Sequence, residues 1–167
     1  QAVLAHPDRH ALEGTGGNVG QTFEGIELSL WFRHVQEPEV YNRRVAALTP
    51  GSVFPQLELS DARGHAATRP AGEVLYGVFK TTCPTCEFAW PFLDRIGRLA
   101  EGGALSVVTV SQNDIGDTAD WNRRLGVQLR TLLDGEPWPA SQALGIETVP
   151  TFFRVGKDGR VLETVVG

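Results

Sequence analysis

Three short and nearly continuous apolar runs, Glu73 to Phe79, Leu105 to Val110 and Thr151 to Val155, are each bounded by glycine, proline, polar or charged residues. Runs of this length suit strands buried in a sheet. Pro84 to Ala100, between the first two, reads as a helix. Asp117 to Leu125 predicts a second helix with Asp117 or Thr118 as its cap. Leu129 to Leu133 follows as a short strand and Ser141 to Leu144 as a helical turn. Thr151 to Val155 and Arg160 to Val166 form a predicted hairpin, because Gly156-Lys157-Asp158-Gly159 between them carries the Asp-Gly turn signal. Strand, helix, strand, helix and hairpin in that order predict an α/β fold, a central mixed β-sheet flanked by helices on both faces.

Residues 1–49 are expected to be an N-terminal extension, partly flexible, ahead of a domain spanning 50–167. Glu13 to Gly20 is glycine-rich but follows no strand and fits neither dinucleotide nor P-loop spacing, so it reads as a loop. Ile26 to Phe32 alternates like a strand. Pro38 to Leu48 suits a helix with proline in its first turn, whose face of Val40, Tyr41, Val45 and Leu48 could cover the domain or serve as a partner-binding arm.

Composition narrows the class. A chain of 167 residues with 41% hydrophobic content can bury a full core in one domain. No apolar stretch approaches the roughly 18 to 20 residues of a membrane span. Net charge is −5 and the basic clusters are only pairs, Arg43-Arg44 and Arg123-Arg124, which argues against nucleic acid as a partner.

The chemistry concentrates at Cys83-Pro84-Thr85-Cys86, which holds the only two cysteines. A helix starting at Pro84 aims its free N–H groups and positive dipole end at the Cys83 sulfur and so stabilises thiolate over thiol. Two intervening residues bring Cys86 within reach, so one sulfur can attack and the other can resolve. Pro84 fits the first helical turn, Thr82 is the candidate N-cap, and Pro91 should kink the helix. A structural zinc site needs four ligands, yet there is no second cysteine pair, and His6, His10, His34 and His65 all lie upstream, so no metal is expected. A disulfide that merely stapled the chain would gain little from so small a ring. The spacing therefore favours a redox-active pair. A second landmark, Gly145 to Phe153, sets Val149-Pro150 just before an apolar strand, a place that suits a cis bond.

With both segments in view, the chain resembles the thioredoxin superfamily, and within it the TlpA-like and ResA-like thiol:disulfide oxidoreductases. Cys83-Pro84-Thr85-Cys86 is similar to the tetrapeptide of the CcmG/DsbE branch, which supplies reductant for cytochrome c maturation. The resemblance runs from about Pro50 to Gly167. It includes a proline-bearing leading segment, Thr49 to Asp61, with a turn at Asp61 to Gly64, and a TlpA-like central insertion from Ser111 to Trp138. It implies a thioredoxin-like fold with Cys83 and Cys86 catalytic and Pro150 as the cis-proline facing them. Val149 would offer its backbone to a substrate strand, with Thr82, Pro84 and Thr85 forming the rest of the substrate-facing rim. It further implies protein dithiol or disulfide substrates, an upstream redox partner, no cofactor, a reductant's role and an extracytoplasmic setting.

The chain also departs from the pattern. Thioredoxins carry a buried acid six positions before the first cysteine, where this sequence has Gly77. Many TlpA-like proteins have glutamate three positions after the second cysteine, and here it is Ala89. The usual aromatic before the first cysteine is Thr82, and Thr151 stands where CcmG-type proteins often have glutamate. Glu87 and Lys80 are the charges nearest in sequence, each more in keeping with a solvated surface than with catalysis. A peroxiredoxin would need proline and Thr or Ser where Tyr76 and Lys80 stand, and a Sco-type copper protein would need a wider cysteine spacing and a downstream histidine. The competing class is a non-enzymatic binding module with an inert disulfide. The sequence starts without Met and stops at Gly167, where thioredoxin-like domains continue into a final helix. It is therefore expected to be part of a longer protein.

Overall fold

The computed structural model of the protein describes residues 48–167. The strand expected at Ile26 to Phe32, the glycine-rich loop and nearly all of the helix expected at Pro38 to Leu48 lie outside the described residues.

Strand β1 (Ser60–Asp61), β2 (Glu73–Phe79), β3 (Leu105–Ser111), β4 (Arg130–Leu133), β5 (Thr151–Val155) and β6 (Val161–Val166) form one sheet in the order β1-β4-β3-β2-β5-β6. Strands β2, β3 and β4 run parallel, while β1, β5 and β6 are antiparallel to their neighbours. Helix α1 (Pro84–Leu99) joins β2 to β3, α2 (Ile115–Leu125) joins β3 to β4, and the short α3 (Pro139–Ala143) leads towards β5. The stretch from Ser111 to Trp138 thus folds as α2 and β4, which widen the sheet beyond β3.

Strand alternation assigns the two faces. Both parallel crossovers advance the same way across the sheet, so right-handed connections put α1 and α2 on one face. There Phe79 of β2 meets Trp90 of α1 at 4.5 Å and Trp121 of α2 at 4.6 Å, and Trp90 reaches Phe152 of β5 at 6.0 Å between ring centroids. The opposite face collects Val74, Tyr76, Val78, Val108, Val110 and Phe153 beneath Phe54, Leu59, Ala140 of α3 and Leu144 just past its end. Burying this set removes several hundred Å² of apolar surface from water, and each fully buried large side chain contributes about 1.5–3 kcal/mol.

Several boundaries differ from the sequence expectation for local chemical reasons. Helix α2 starts two residues earlier than predicted because Asp114, not Asp117 or Thr118, is its N-cap: its carboxylate accepts the Asp117 N–H at 2.8 Å. Thr82 does not cap α1. Cys83 does, through its sulfur. Helix α3 begins at Pro139, ahead of the predicted Ser141, because buried Asp134 accepts hydrogen bonds from the Ala140 and Ser141 N–H groups and from the Ser141 hydroxyl. Helix α1 runs through Pro91, which lacks the N–H that would bond the Glu87 carbonyl. The β5–β6 turn closes at Gly159, whose φ of +84° explains the glycine of the Asp-Gly pair.

Candidate active site

Cys83 sits where β2 ends and α1 begins. The Cys83 N–H bonds back to the Lys80 carbonyl at 3.1 Å, forming a tight turn, and Thr81 N–H donates to the Asn113 side chain at 2.9 Å, tying this turn to the end of β3. Extended backbone at Cys83 directs its side chain over the first turn of α1, where the Cys86 N–H donates to the sulfur at 3.3 Å. Both cysteines are free thiols. Cys83 is half-buried with its thiol donating to the Val149 carbonyl at 3.4 Å, whereas Cys86 is fully buried.

Burial pushes the Cys86 thiol up, and its hydrogen bond to the Cys83 sulfur raises it further. Four residues on along α1, Trp90 continues the same face into the aromatic cluster, so the floor of the site is hydrocarbon. Among the described residues, the buried Nε1 atoms of Trp90 and Trp121 have no hydrogen-bond acceptor.

Val149-Pro150 is a cis peptide bond. Pro150 is buried behind the half-buried Val149, and the Thr151 hydroxyl donates to the Thr148 carbonyl at 2.7 Å, pinning the turn that presents Val149. Thr82, Pro84 and Thr85 are exposed around the Cys83 sulfur. Of the candidates named from sequence, Cys83, Cys86 and Val149 come together in direct contact, and the remaining four surround them as neighbours in the chain.

The two charged residues near the motif part ways. Glu87 faces Arg124 of α2 across a two-point ion pair of 2.6 and 3.2 Å, and that guanidinium holds its carboxyl below the usual range. Lys80 instead lays its ammonium over the Trp138 ring, 4.2 Å from the centroid. Trp138 went unnoticed in the sequence. It follows a second cis bond, Glu136-Pro137, and holds φ at +58°, unusual for a bulky residue. Its indole N–H donates to the Gln112 carbonyl at 3.0 Å, and the Gln112 amide donates to Ser141 at 2.7 Å. The paired prolines around Trp138 were the signal available for it.

No group of three or more potential metal ligands occurs among the described residues, and no described helix is long and apolar enough to cross a membrane.

No family model and no curated protein matches the sequence. Solved structures do match. A Chlorobium tepidum protein assigned as the thiol:disulfide interchange protein DsbE superposes with a TM-score of 0.66 at 19% identity, covering 72% of this chain and 87% of its own. The thioredoxin domain of a Bacteroides vulgatus thiol-disulfide oxidoreductase gives 0.65 at 18% identity, with 72% and 91% covered. StoA from Bacillus subtilis gives 0.57 at 17% identity, with 70% and 89% covered. The strand order, the cysteine pair at the start of α1 and the shared architecture of these structures show that the chain has the thioredoxin-like fold.

Proposed function

We propose that the protein is a thiol:disulfide oxidoreductase acting on protein substrates through Cys83 and Cys86, in the manner of the TlpA-like and CcmG-like proteins. One observation carries this reading: the half-buried Cys83 sulfur accepts a backbone N–H at a helix start and faces the Val149 carbonyl next to a cis-proline, with Cys86 sealed beneath it.

In the reducing direction, Cys83 as thiolate attacks one sulfur of a substrate disulfide, that S–S bond breaks, and the departing substrate sulfur takes the electron pair. Cys86 then loses its proton and attacks Cys83. The substrate's second sulfur leaves as a thiol, and a Cys83–Cys86 disulfide remains. The Cys86 N–H is already aimed where negative charge sits on the Cys83 sulfur, so it needs no reorganisation during exchange. With the Val149 carbonyl beside that sulfur, the same backbone can pair with an extended substrate segment as an added strand. An upstream redox partner would return the disulfide to the dithiol, and the setting implied is extracytoplasmic.

Equilibration against glutathione ratios, with free thiols trapped, tests both the activity and its direction. A potential near or below about −220 mV is expected for a reductant, whereas about −120 to −180 mV would make the protein an oxidant or isomerase. Failure of Cys83 and Cys86 to form any reversible disulfide would reduce the fold to a binding module.

A further inference from the structure

Beside Val149 a groove opens, lined by Lys80, Gln112, Trp138, Glu147 and Thr148. It lies at the carboxyl ends of β2, β3 and β4, the edge at which open α/β sheets take their ligands. From this groove we infer that Lys80, seated on Trp138, selects substrates that carry an acidic side chain next to the reacting cysteine. The inference rests on the oxidoreductase reading above and names the chemistry that site prefers.

Charge and burial carry the argument. Lys80 is half-buried with its ammonium 4.2 Å from the Trp138 centroid, and among the described residues no carboxylate lies within ion-pair distance of it. An aromatic face attracts the cation but leaves its N–H donors free for an anion. The platform is fixed from behind, since the Trp138 indole is tied to the Gln112 carbonyl and Gln112 is tied to Ser141. Glu147 is the opposing charge in the groove. It is exposed, so water screens it more than it screens Lys80. The less screened charge facing a side chain that enters beside Val149 is therefore the Lys80 ammonium.

The geometry of exchange delivers such a side chain. Val149 is the residue whose carbonyl already meets the Cys83 sulfur, so a substrate strand lying along it places its cysteine at Cys83. A residue flanking that cysteine is then carried towards the groove that Val149 helps to line.

The test uses the full chain with Cys86→Ser and short cysteine peptides activated as mixed disulfides with thionitrobenzoate, differing only in Glu, Gln or Lys beside the cysteine. Cys83 loses its proton to solvent and attacks the peptide sulfur, the peptide S–S bond breaks, and thionitrobenzoate leaves with the electron pair and is read by its colour. Rates are divided by those of the same peptides with free glutathione, which removes their intrinsic reactivity. The Glu peptide should react about fivefold faster than the Gln peptide and the Lys peptide slower, with the spread shrinking as salt rises. Lys80→Gln should erase the preference and Lys80→Arg should keep it, which separates loss of charge from loss of fold. Equal normalised rates for the three peptides, or a preference that survives Lys80→Gln, would overturn the inference while leaving exchange chemistry in place. Absence of a mixed disulfide with every peptide would instead overturn the oxidoreductase reading, and the inference with it.

Discussion

Leu93 occupies the space above Gly77: a Cβ added to Gly77 would lie 2.9 Å from Leu93 Cδ2 and 3.2 Å from the Phe152 ring. The position where thioredoxins keep a buried acid is thus filled from α1 and β5 by hydrocarbon. No carboxylate fits there without displacing both side chains. In the proposed exchange, Cys86 would then pass its proton to an acceptor other than a carboxylate at position 77, and the substrate's departing thiolate is the one that exchange would bring to the site.

Gly77→Asp is expected to destabilise the protein, not to restore a proton relay. Overpacking costs about 1–3 kcal/mol, and a buried carboxyl without a partner adds about as much again. Gly77→Ala isolates the steric part and should lose about 1–3 kcal/mol. Urea unfolding of the three proteins checks this order. An Asp variant as stable as the parent would show that Leu93 and Phe152 can move aside.

Cys83 and Cys86 should differ sharply towards alkylation. Cys83 is half-buried at the rim while Cys86 has 0% exposure and a thiol pushed up by burial. Only thiolate reacts with iodoacetamide. At mildly alkaline pH, mass spectrometry should find a single adduct, on Cys83, and a second only after denaturation. Two adducts forming at similar rates would contradict the buried position of Cys86.

Asp134 anchors the approach to the cis-proline turn, because its carboxylate, 1% exposed, holds the start of α3 through the Ala140 and Ser141 N–H groups and the Ser141 hydroxyl. Asp134→Ala leaves those buried donors without an acceptor, at a cost of about 1–3 kcal/mol. The loss should be local in part. Amide hydrogen exchange is expected to quicken from Ala140 to Val149 more than in β2 and β3, and uniform quickening would assign Asp134 a purely global role.

What the sequence made legible follows from the range of the forces involved. Strand β2 matches its predicted bounds of Glu73 to Phe79, because a strand covered on both faces reads as a near-continuous apolar run, and that pattern is local. The cysteine pair was legible for the same reason, since its spacing and its helix are contiguous. Asp114 was missed as a cap although aspartate is an ordinary capping residue, and Asp134 was missed because it holds the start of α3 from outside the N-cap position, which Trp138 occupies. What selects Asp134 is the distance at which a strand end meets α3, a tertiary fact. Trp138 was hidden more deeply. Its role depends on Lys80, 58 positions earlier, arriving over its ring from the end of β2.

The buried Cys86 thiol also sets a pH limit on the reduced protein. Its proton is held above the ordinary thiol range in the folded state, by burial first and by the Cys83 sulfur second. In the unfolded chain the same thiol ionises near pH 8.5. Above that pH the unfolded state binds fewer protons than the folded state, so stability falls as pH rises, by up to about 1.4 kcal/mol per unit from this one group. The contribution is fully present below about pH 8.5. Tyr76, which burial also pushes up, enters by the same sign only near pH 10, where unfolded tyrosine ionises. Between about pH 8 and 9.5 the reduced protein should therefore lose stability faster than its Cys86→Ser variant, both measured by urea unfolding with a phosphine reductant. Parallel stability curves would mean that Cys86 ionises as readily in the fold as outside it.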